Sequence, residues 1–234
     1  KRGRILDAAP FEVVSDLWTR VRHTRDRLNA FFKEEGVLAV LSGDGRGTGG
    51  ILFAEAGGSW EPGAPIPPPK ISMAPESYDR LCRLVEKKIP VKLELEMEAT
   101  FDDTILDGMN VVAELPGGAK KDEVVMLGAH LDSWHSGTGA TDNAAGSAIV
   151  LEAMRILKVL GLPMDRTLRL ALWPGDEQGI FGSRGYVKNH FADPVTMKTL
   201  PEHAKLSGYF NVDNGSGKIR GVYLQGNDMM RPVF

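Results

Sequence analysis

The 234-residue chain has little cysteine, no long apolar run and little net charge. Each of these shortages argues against one kind of structure or partner. Its single cysteine, Cys82, excludes an internal disulfide. No stretch approaches the roughly 20 apolar residues that a membrane span needs, so no span is expected. A formal net charge of −3 gives no sign of a nucleic-acid partner. The 42% hydrophobic and 25% charged residues are instead typical of a folded globular protein.

The first hundred residues have the patterns of a smaller unit that mixes helices and strands. Helices are predicted at 10–36 and 75–88, where apolar residues recur at helical spacing. In the second helix, Cys82 lies beside Leu81 and Leu84, which indicates a core thiol rather than a nucleophile. Four strands are predicted, at 4–8, 37–42, 51–56 and 91–98; the last, VKLELEME, alternates apolar and charged residues.

From about Asn110 the pattern changes to strands that alternate with helices. Such a layout predicts an α/β sheet covered by helices. The predicted domains are therefore 1–107 and 108–234. Strands are predicted at 110–115, 123–129, 166–173, 206–212 and 219–225, helices at 143–161 and 182–191, and a hairpin-like connection at 116–122.

Acidic and imidazole groups follow three of these strands. Ligands in open α/β sheets lie beyond the carboxyl ends of the strands, so we expect these groups to converge. Crowded carboxylates repel one another, and a divalent cation removes that cost. The groups are His130 and Asp132 after 123–129, Asp142 at the start of the next helix, Asp176 and Glu177 after 166–173, and Asp213 after 206–212.

Each of these residues also has a purely structural interpretation. Asp142 could cap a helix, and Asp213 could form a turn. Asp176 and Glu177 could form the acidic first turn of a helix, and His130 could be a core histidine. All of these accidents would have to occur at strand ends in one half of the chain, so a metal site is the better interpretation. The remaining histidines are interpreted as a loop residue near the mouth of the site, His135, and as surface residues, His23, His190 and His203.

Three motifs in order across Asn110 to Gly226 carry a family resemblance: GAHLDSW…GATDNAAGSA, WPGDEQGIFGSRGYV and FNVDNGSG. They closely resemble the co-catalytic di-zinc aminopeptidases of metallopeptidase family 28, especially bacterial members related to plasma glutamate carboxypeptidase. The resemblance implies a mixed, mostly parallel sheet flanked by helices, the zinc-exopeptidase fold. Within the first hundred residues, EEGVLAVLS and PPPKISMAPESYDRLCRLVEKKIPVKLEL resemble the family's protease-associated insert, which implies a smaller β-rich lobe.

The resemblance assigns metal ligands to four residues. His130 and Asp213 would bind one zinc, Asp142 would bridge two metals, and Glu177 would bind the second zinc. Two zinc ions are therefore expected in the full-length protein, with Mn or Co as alternatives because the site is rich in oxygen.

The resemblance also assigns two supporting roles. Asp132 would accept the second N–H of His130, and Asp176 would be the general base. The family usually has Glu at the base position, so the Asp176 carboxylate is one methylene shorter. The family's last ligand is a His downstream of the Asp213 motif, but no His follows His203. The expectation is therefore a chain truncated at both ends.

The function implied by the resemblance is zinc-dependent hydrolysis of N-terminal peptide bonds or dipeptides. The expected partner is a peptide substrate, and the implied location is secreted or periplasmic, although no signal peptide is visible in this sequence. Two alternatives stay open: a glutaminyl-cyclase-like acyltransferase with one zinc, and a non-catalytic member or inactive fragment of the fold. The number of metal ions per chain separates them.

Overall fold

The structure, a computed structural model, describes residues 11–234 except 48, 50, 55, 56, 61, 62, 103, 106 and 214. The strand predicted at 4–8 lies outside the described residues. The chain divides into two compact units. The first comprises the described residues up to Ala99 together with Gly221–Phe234, and the second is Thr100–Arg220. The boundary at 107 stays a prediction. Among the described helices, none combines the length and apolarity that crossing a bilayer requires.

The first unit contains two helices and a small parallel sheet. Strand β1 pairs with β2, with Val40 opposite Lys70. Strand β2 was not predicted, because it follows directly on a proline-rich stretch. The regular secondary structure described in this unit is mainly helical, so the expected β-rich lobe is not found, and Cys82 is only partly buried. Its elements are α1 (Phe11–Glu34), β1 (Val40–Gly43), β2 (Lys70–Met73) and α2 (Pro75–Glu86).

Three strand predictions that touch this unit are wrong. Residues 91–98 form no strand, and Leu93 is 57% exposed on the face that was expected to be buried. Residues 52–54 and 219–224 also lie outside any strand. Alternation specifies a strand only when a neighbour supplies hydrogen bonds and covers the apolar face. No described strand does so here.

The second unit is built on a four-stranded sheet in the order β3–β5–β4–β6. Strand β4 is parallel to β5 and to β6, whereas β3 is antiparallel to β5. The prediction of a mixed, mostly parallel sheet is confirmed. The elements are β3 (Val111–Leu115), β4 (Lys120–His130), α3 (Ala145–Leu160), β5 (Arg166–Trp173), α4 (Phe181–His190) and β6 (Leu206–Asn211).

The connection between β3 and β4 is not the expected hairpin, because β5 lies between these two strands. Gly117 N–H donates to the Thr167 hydroxyl at 3.1 Å, and Gly118 N–H donates to the Met164 carbonyl at 2.8 Å. The Gly-Gly turn therefore bonds to the start of β5. A Cβ at Gly117 would collide with the Arg166 backbone, so this close approach requires glycine.

Helices cover both faces of the sheet. On one face, Leu170 of β5 packs in a buried cluster with Val150 and Met154 of α3. On the other face, Met126 packs with Tyr186 of α4 and with Phe191. Since both faces are buried, β4 and β5 have the near-continuous apolar character of central parallel strands. This packing fixes the carboxyl ends of β4, β5 and β6 at one edge.

Candidate metal centre

The register of the sheet brings the predicted site residues together. His130, the last residue of β4, lies opposite Trp173 of β5, and Gly128 lies opposite Asn211 of β6. The segments that follow these three strands therefore start at the same edge. Two of them carry predicted ligands within a few residues: Glu177 after β5 and Asp213 after β6.

His130 lies between acidic groups and is almost completely buried. Its Nε2 is 2.9 Å from Asp142 Oδ1 and 3.1 Å from Asp213 Oδ1. Its Nδ1 is 3.1 Å from the Asp132 carbonyl, which can only accept a hydrogen bond. Nδ1 therefore carries a proton, and Nε2 faces two carboxylates either as a second N–H or as a ligand to a cation.

The groups around His130 also favour its protonated, positively charged form, as the direction of its pKa shift indicates. Burial lowers this pKa, but the charges of Asp176, Asp213 and Asp132 and the hydrogen bond with Asp142 outweigh it and raise the pKa overall. A bound cation would satisfy these carboxylates in place of the imidazolium proton.

Three residues offer ligand atoms that lie within 4.8 Å of one another: His130, Asp142 and Asp213. One imidazole nitrogen with carboxylate oxygens is a donor set that suits zinc and also manganese or cobalt. Asp142 and Asp213 are partly exposed, with side chains 44% and 39% accessible, so the group is open to a ligand on one side.

Asp142 belongs to a tight turn at Ala140–Ala144 and makes no capping bond to α3. The helix-cap interpretation of Asp142 is therefore wrong. The Asp142–Asn143 peptide bond is cis. The buried Asn143 amide donates to the Val212 carbonyl at 2.9 Å, and its oxygen accepts Gly146 N–H at 3.1 Å. These bonds tie the turn to the end of β6 and to the start of α3.

The Asp132 carboxylate holds the turn that follows β5. Its Oδ1 accepts the N–H of Asp176 at 3.1 Å, and its Oδ2 accepts the N–H of Glu177 at 3.2 Å. Oδ1 is also 3.4 Å from Nδ1 of His130, slightly further than the Asp132 carbonyl. Sequence reasoning missed the bonds to the β5 turn, since nothing in the local pattern links residues more than 40 positions apart.

Glu177 lies outside the group of three, but one of its oxygens lacks a partner. Glu177 Oε1 is buried and, in the part of the chain that the structure describes, has no hydrogen bond. Burial and then the Asp142 charge raise the pKa of Glu177. Burial likewise raises the pKa of Asp176; His130 opposes this, whereas Asp213 and the other nearby carboxylates add to it. An orphaned buried carboxylate oxygen is expected where a cation normally binds.

An aromatic network near the same edge was not predicted. Trp173 Nε1–H donates to the Tyr209 hydroxyl at 2.7 Å, and this hydroxyl donates to Asn211 Oδ1 at 2.7 Å. Burial raises the pKa of Tyr209 to about 12. A Cβ at Gly128 would collide with this hydroxyl. A glycine inside the apolar run of β4 was the one local signal that another group approaches closely.

The remaining histidines lie outside the group of three. His135 is exposed, as expected of a loop residue. His190, predicted to be a surface residue, has a side chain that is 41% accessible, and its ring stacks on Tyr186 with centroids 4.2 Å apart. Its Nδ1 is also 3.3 Å from Glu202 Oε1, a contact that the sequence did not indicate.

Residues 110–229 match the family model described as Peptidase family M28, which covers just over half of the chain. The chain therefore belongs to peptidase family M28, which confirms the family resemblance predicted from its sequence. Among curated relatives, it is 35% identical to mouse Carboxypeptidase Q over 71% of this chain and 33% of that protein. It is 41% identical to an aminopeptidase of Pseudomonas aeruginosa strain UCBPP-PA14 over 51% of this chain and 20% of that protein. The chain thus spans about a third or less of these relatives' length.

Solved structures agree with the fold. A peptidase M28 precursor from Shewanella amazonensis SB2B is similar with a TM-score of 0.50 and 28% identity, over 79% of this chain and 39% of that one. An aminopeptidase from Aneurinibacillus sp. strain AM-1 is similar with a TM-score of 0.51 and 19% identity, over 79% and 42% of the two chains. The second likeness supports the fold alone.

Proposed function

We propose that this chain is the metal-binding part of an exopeptidase that hydrolyses N-terminal peptide bonds or dipeptides. The observation that carries the proposal is the convergence of His130, Asp142 and Asp213 at the carboxyl edge of the sheet in a chain of peptidase family M28. Peptide substrates follow from the family. A secreted or periplasmic location also belongs to this proposal, and fractionation of cells that express the intact gene would test it.

Four residues would hold two divalent ions, with zinc expected and manganese or cobalt as alternatives. His130 and Asp213 would hold one ion, Glu177 the other, and Asp142 would lie between the two ions. The donor set supports this, because the Nε2 of His130 faces two carboxylates. The unpartnered Glu177 oxygen also supports it, since a second ion would satisfy a buried oxygen that no described residue satisfies.

Bound divalent ions would lower the pKa of a water molecule and polarise the scissile carbonyl. Asp176 would take a proton from the attacking water and transfer it to the leaving amine. Burial and the neighbouring carboxylates raise the pKa of Asp176, which favours proton uptake. Its side chain is shorter than the Glu usual at this position, so its reach depends on how the turn after β5 is held.

Asp132 would control that reach. Its two oxygens accept the N–H groups of Asp176 and Glu177, so one carboxylate orients both the base and a metal ligand. Its contact with Nδ1 of His130 adds the orienting role expected for a metal-bound histidine. We therefore infer that Asp132 is a positioning residue.

A single-metal acyltransferase of the glutaminyl-cyclase type is the second candidate. One observation favours it: Glu177 is not among the three residues whose ligand atoms lie together. A three-ligand group with an open side is sufficient for one catalytic ion. Two ions per chain would exclude this candidate, and one ion would favour it.

Metal analysis of purified protein tests both proposals. We expect the wild type to bind divalent ions and Asp142→Ala to lose at least one of them. The matched control is Asp122→Ala, an exposed carboxylate elsewhere on β4, which should keep the wild-type content. Hydrolysis of aminoacyl-nitroanilides and dipeptides is measured on the same samples. Unchanged metal content in Asp142→Ala would refute the site.

A further inference from the structure

A second concave site lies within the first unit, among α1, the β1–β2 sheet and the loop after β1. Its volume is about 580 Å³. Small-molecule sites usually have volumes of about 300–1,000 Å³. Its walls include Arg22 and Arg25 from α1, Lys70 from β2, and Arg46 and Phe53 from the segment after β1. None of these residues belongs to the metal centre.

The charge on these walls is predominantly positive. Four cationic side chains line the cavity, against a single acidic one, Asp44. Asp44 is buried, and its oxygens accept the backbone N–H groups of Phe53 and Arg46. Asp44 therefore holds the loop in place, and the bond from Phe53 N–H is the main reason its pKa is lowered.

Two of the cations, Arg25 and Lys70, interact electrostatically with each other and share one nearby acid, Asp26. In the described part of the chain, Arg25 Nε is buried without a hydrogen-bond partner, and Asp26 Oδ1 is 3.7 Å away. Burial and then the Arg25 charge lower the pKa of Lys70, while Asp26 opposes this. Like charges held side by side in a partly buried site repel one another, and a bound anion would remove that cost.

We propose that this cavity binds a small molecule through a multivalent oxyanion, either a phosphate group or a cluster of carboxylates. Guanidinium groups bind such oxyanions through paired N–H donors, and an ammonium adds a compact charge. Ser42 and Ser72 line the same cavity and add hydroxyl donors. Phe53, with the Arg46 guanidinium 5.3 Å from its ring centroid, supplies a flat apolar wall for the rest of the ligand.

Calorimetric titration of the whole chain with pyrophosphate and with citrate tests this proposal. The protein is first depleted of divalent ions, because both probes bind metals, and the carboxylate-rich metal centre without its ions repels anions. We expect saturable binding of at least one probe at one site per chain. Tighter binding of pyrophosphate would identify a phosphate ligand, and tighter binding of citrate a carboxylate ligand.

The double variant Arg25→Gln/Lys70→Gln should weaken binding by roughly tenfold or more, because it removes charge-assisted hydrogen bonds. The matched control is Arg27→Gln, on the same helix but outside the cavity, which should bind like the wild type. The melting temperature gives an independent readout: the probe should raise it in the wild type and in Arg27→Gln but not in the double variant. Absence of saturable binding, or equal weakening in the control, would overturn the proposal.

Discussion

The two units differ in how they are packed and in the charge that they concentrate. Apart from Pro68, the buried aliphatic and aromatic side chains of the described residues all lie between Val124 and Phe191, in the second unit. In the first unit, apolar residues such as Leu93 and Leu95 are about half exposed. The second unit gathers carboxylates around one imidazole, whereas the first gathers guanidinium and ammonium groups around one carboxylate.

This contrast shows how each arrangement is held in place. Carboxylates that repel one another can be held near the sheet edge because dense packing on both faces of β4 and β5 offsets their repulsion. In the described part of the first unit, the basic cavity is lined largely by exposed side chains, so water weakens but does not remove the repulsion between partly buried cations such as Arg25 and Lys70. In both units, the sign of the predominant charge at the site indicates the sign of the ligand. The predictions below test this contrast.

The largest effect is expected in the acidic site of the second unit. Substitutions at the adjacent residues Asp176 and Glu177 should there have different consequences. Asp176→Asn should keep its metal content but lower kcat by about 10²–10⁴, the usual contribution of a general base. Glu177→Gln should lose metal, because it removes a ligand charge. Both variants are assayed in the intact protein by peptide hydrolysis and bound zinc. Asp176→Glu, which restores the family's usual residue, is the control and should retain activity. If Asp176→Asn loses metal while Glu177→Gln keeps it, the two roles are reversed.

Because the two units are packed differently, a Leu→Ala substitution should lower the free energy of unfolding more in the second unit than in the first. Leu170→Ala removes a side chain that is 3% exposed and should lower the free energy of unfolding by about 2–5 kcal/mol. Leu93→Ala removes a side chain that is 57% exposed and should change it by no more than about 0.5 kcal/mol. Urea unfolding followed by circular dichroism measures both. Similar costs would show that residues 91–98 are packed in solution.

Much of the second unit could be predicted from sequence because its signals are local. The apolar runs of β4 and β5 identify buried strands with polar groups at their carboxyl ends, since His130 ends β4 and Glu177 lies a few residues after β5. Parallel pairing then brings these ends together, so the site needs little long-range information. Gly161, with a φ of 58°, ends α3 where the glycine predicted it.

The features that could not be predicted depend on contacts between distant residues. Residues 91–98 have the alternation of a strand, but pairing needs a neighbour that the local pattern cannot guarantee. The two N–H bonds that Asp132 accepts join loops more than 40 residues apart. The proximity of Arg25 and Lys70 likewise depends on how α1 lies beside β2, which helical periodicity does not specify.

A smaller effect should come from an asparagine in each unit. Asn143→Ala removes two hydrogen bonds in a fully buried site and should lower the free energy of unfolding by about 1–3 kcal/mol. It should also weaken metal binding, because the turn that carries Asp142 loses its tie to β6. Asn29→Ala, in the first unit, removes one bond of 3.2 Å from a partly buried amide and should cost less than Asn143→Ala. Metal titration and urea unfolding test both variants. Weakened metal binding in Asn29→Ala would show that the metal centre depends on the first unit, contrary to this prediction.

The smallest effect is expected at Asp44, where one acid is embedded in a basic cavity. Hydrogen bonds from backbone N–H groups lower the folded-state pKa of Asp44 below its unfolded value of about 3.9. Its contribution to stability is therefore complete above that value and is lost as the pH falls through the folded-state pKa. Asn at this position keeps one acceptor oxygen and does not titrate. Asp44→Asn should thus melt below the wild type near neutral pH, and the difference should shrink as the pH falls from about 6 to about 3.

Asp79→Asn, which replaces an exposed carboxylate on α2, is the control and should melt with the wild type near neutral pH. A difference for Asp44→Asn that grows on acidification would mean that the carboxylate is neutral in the folded protein, and the loop would then be held by other contacts.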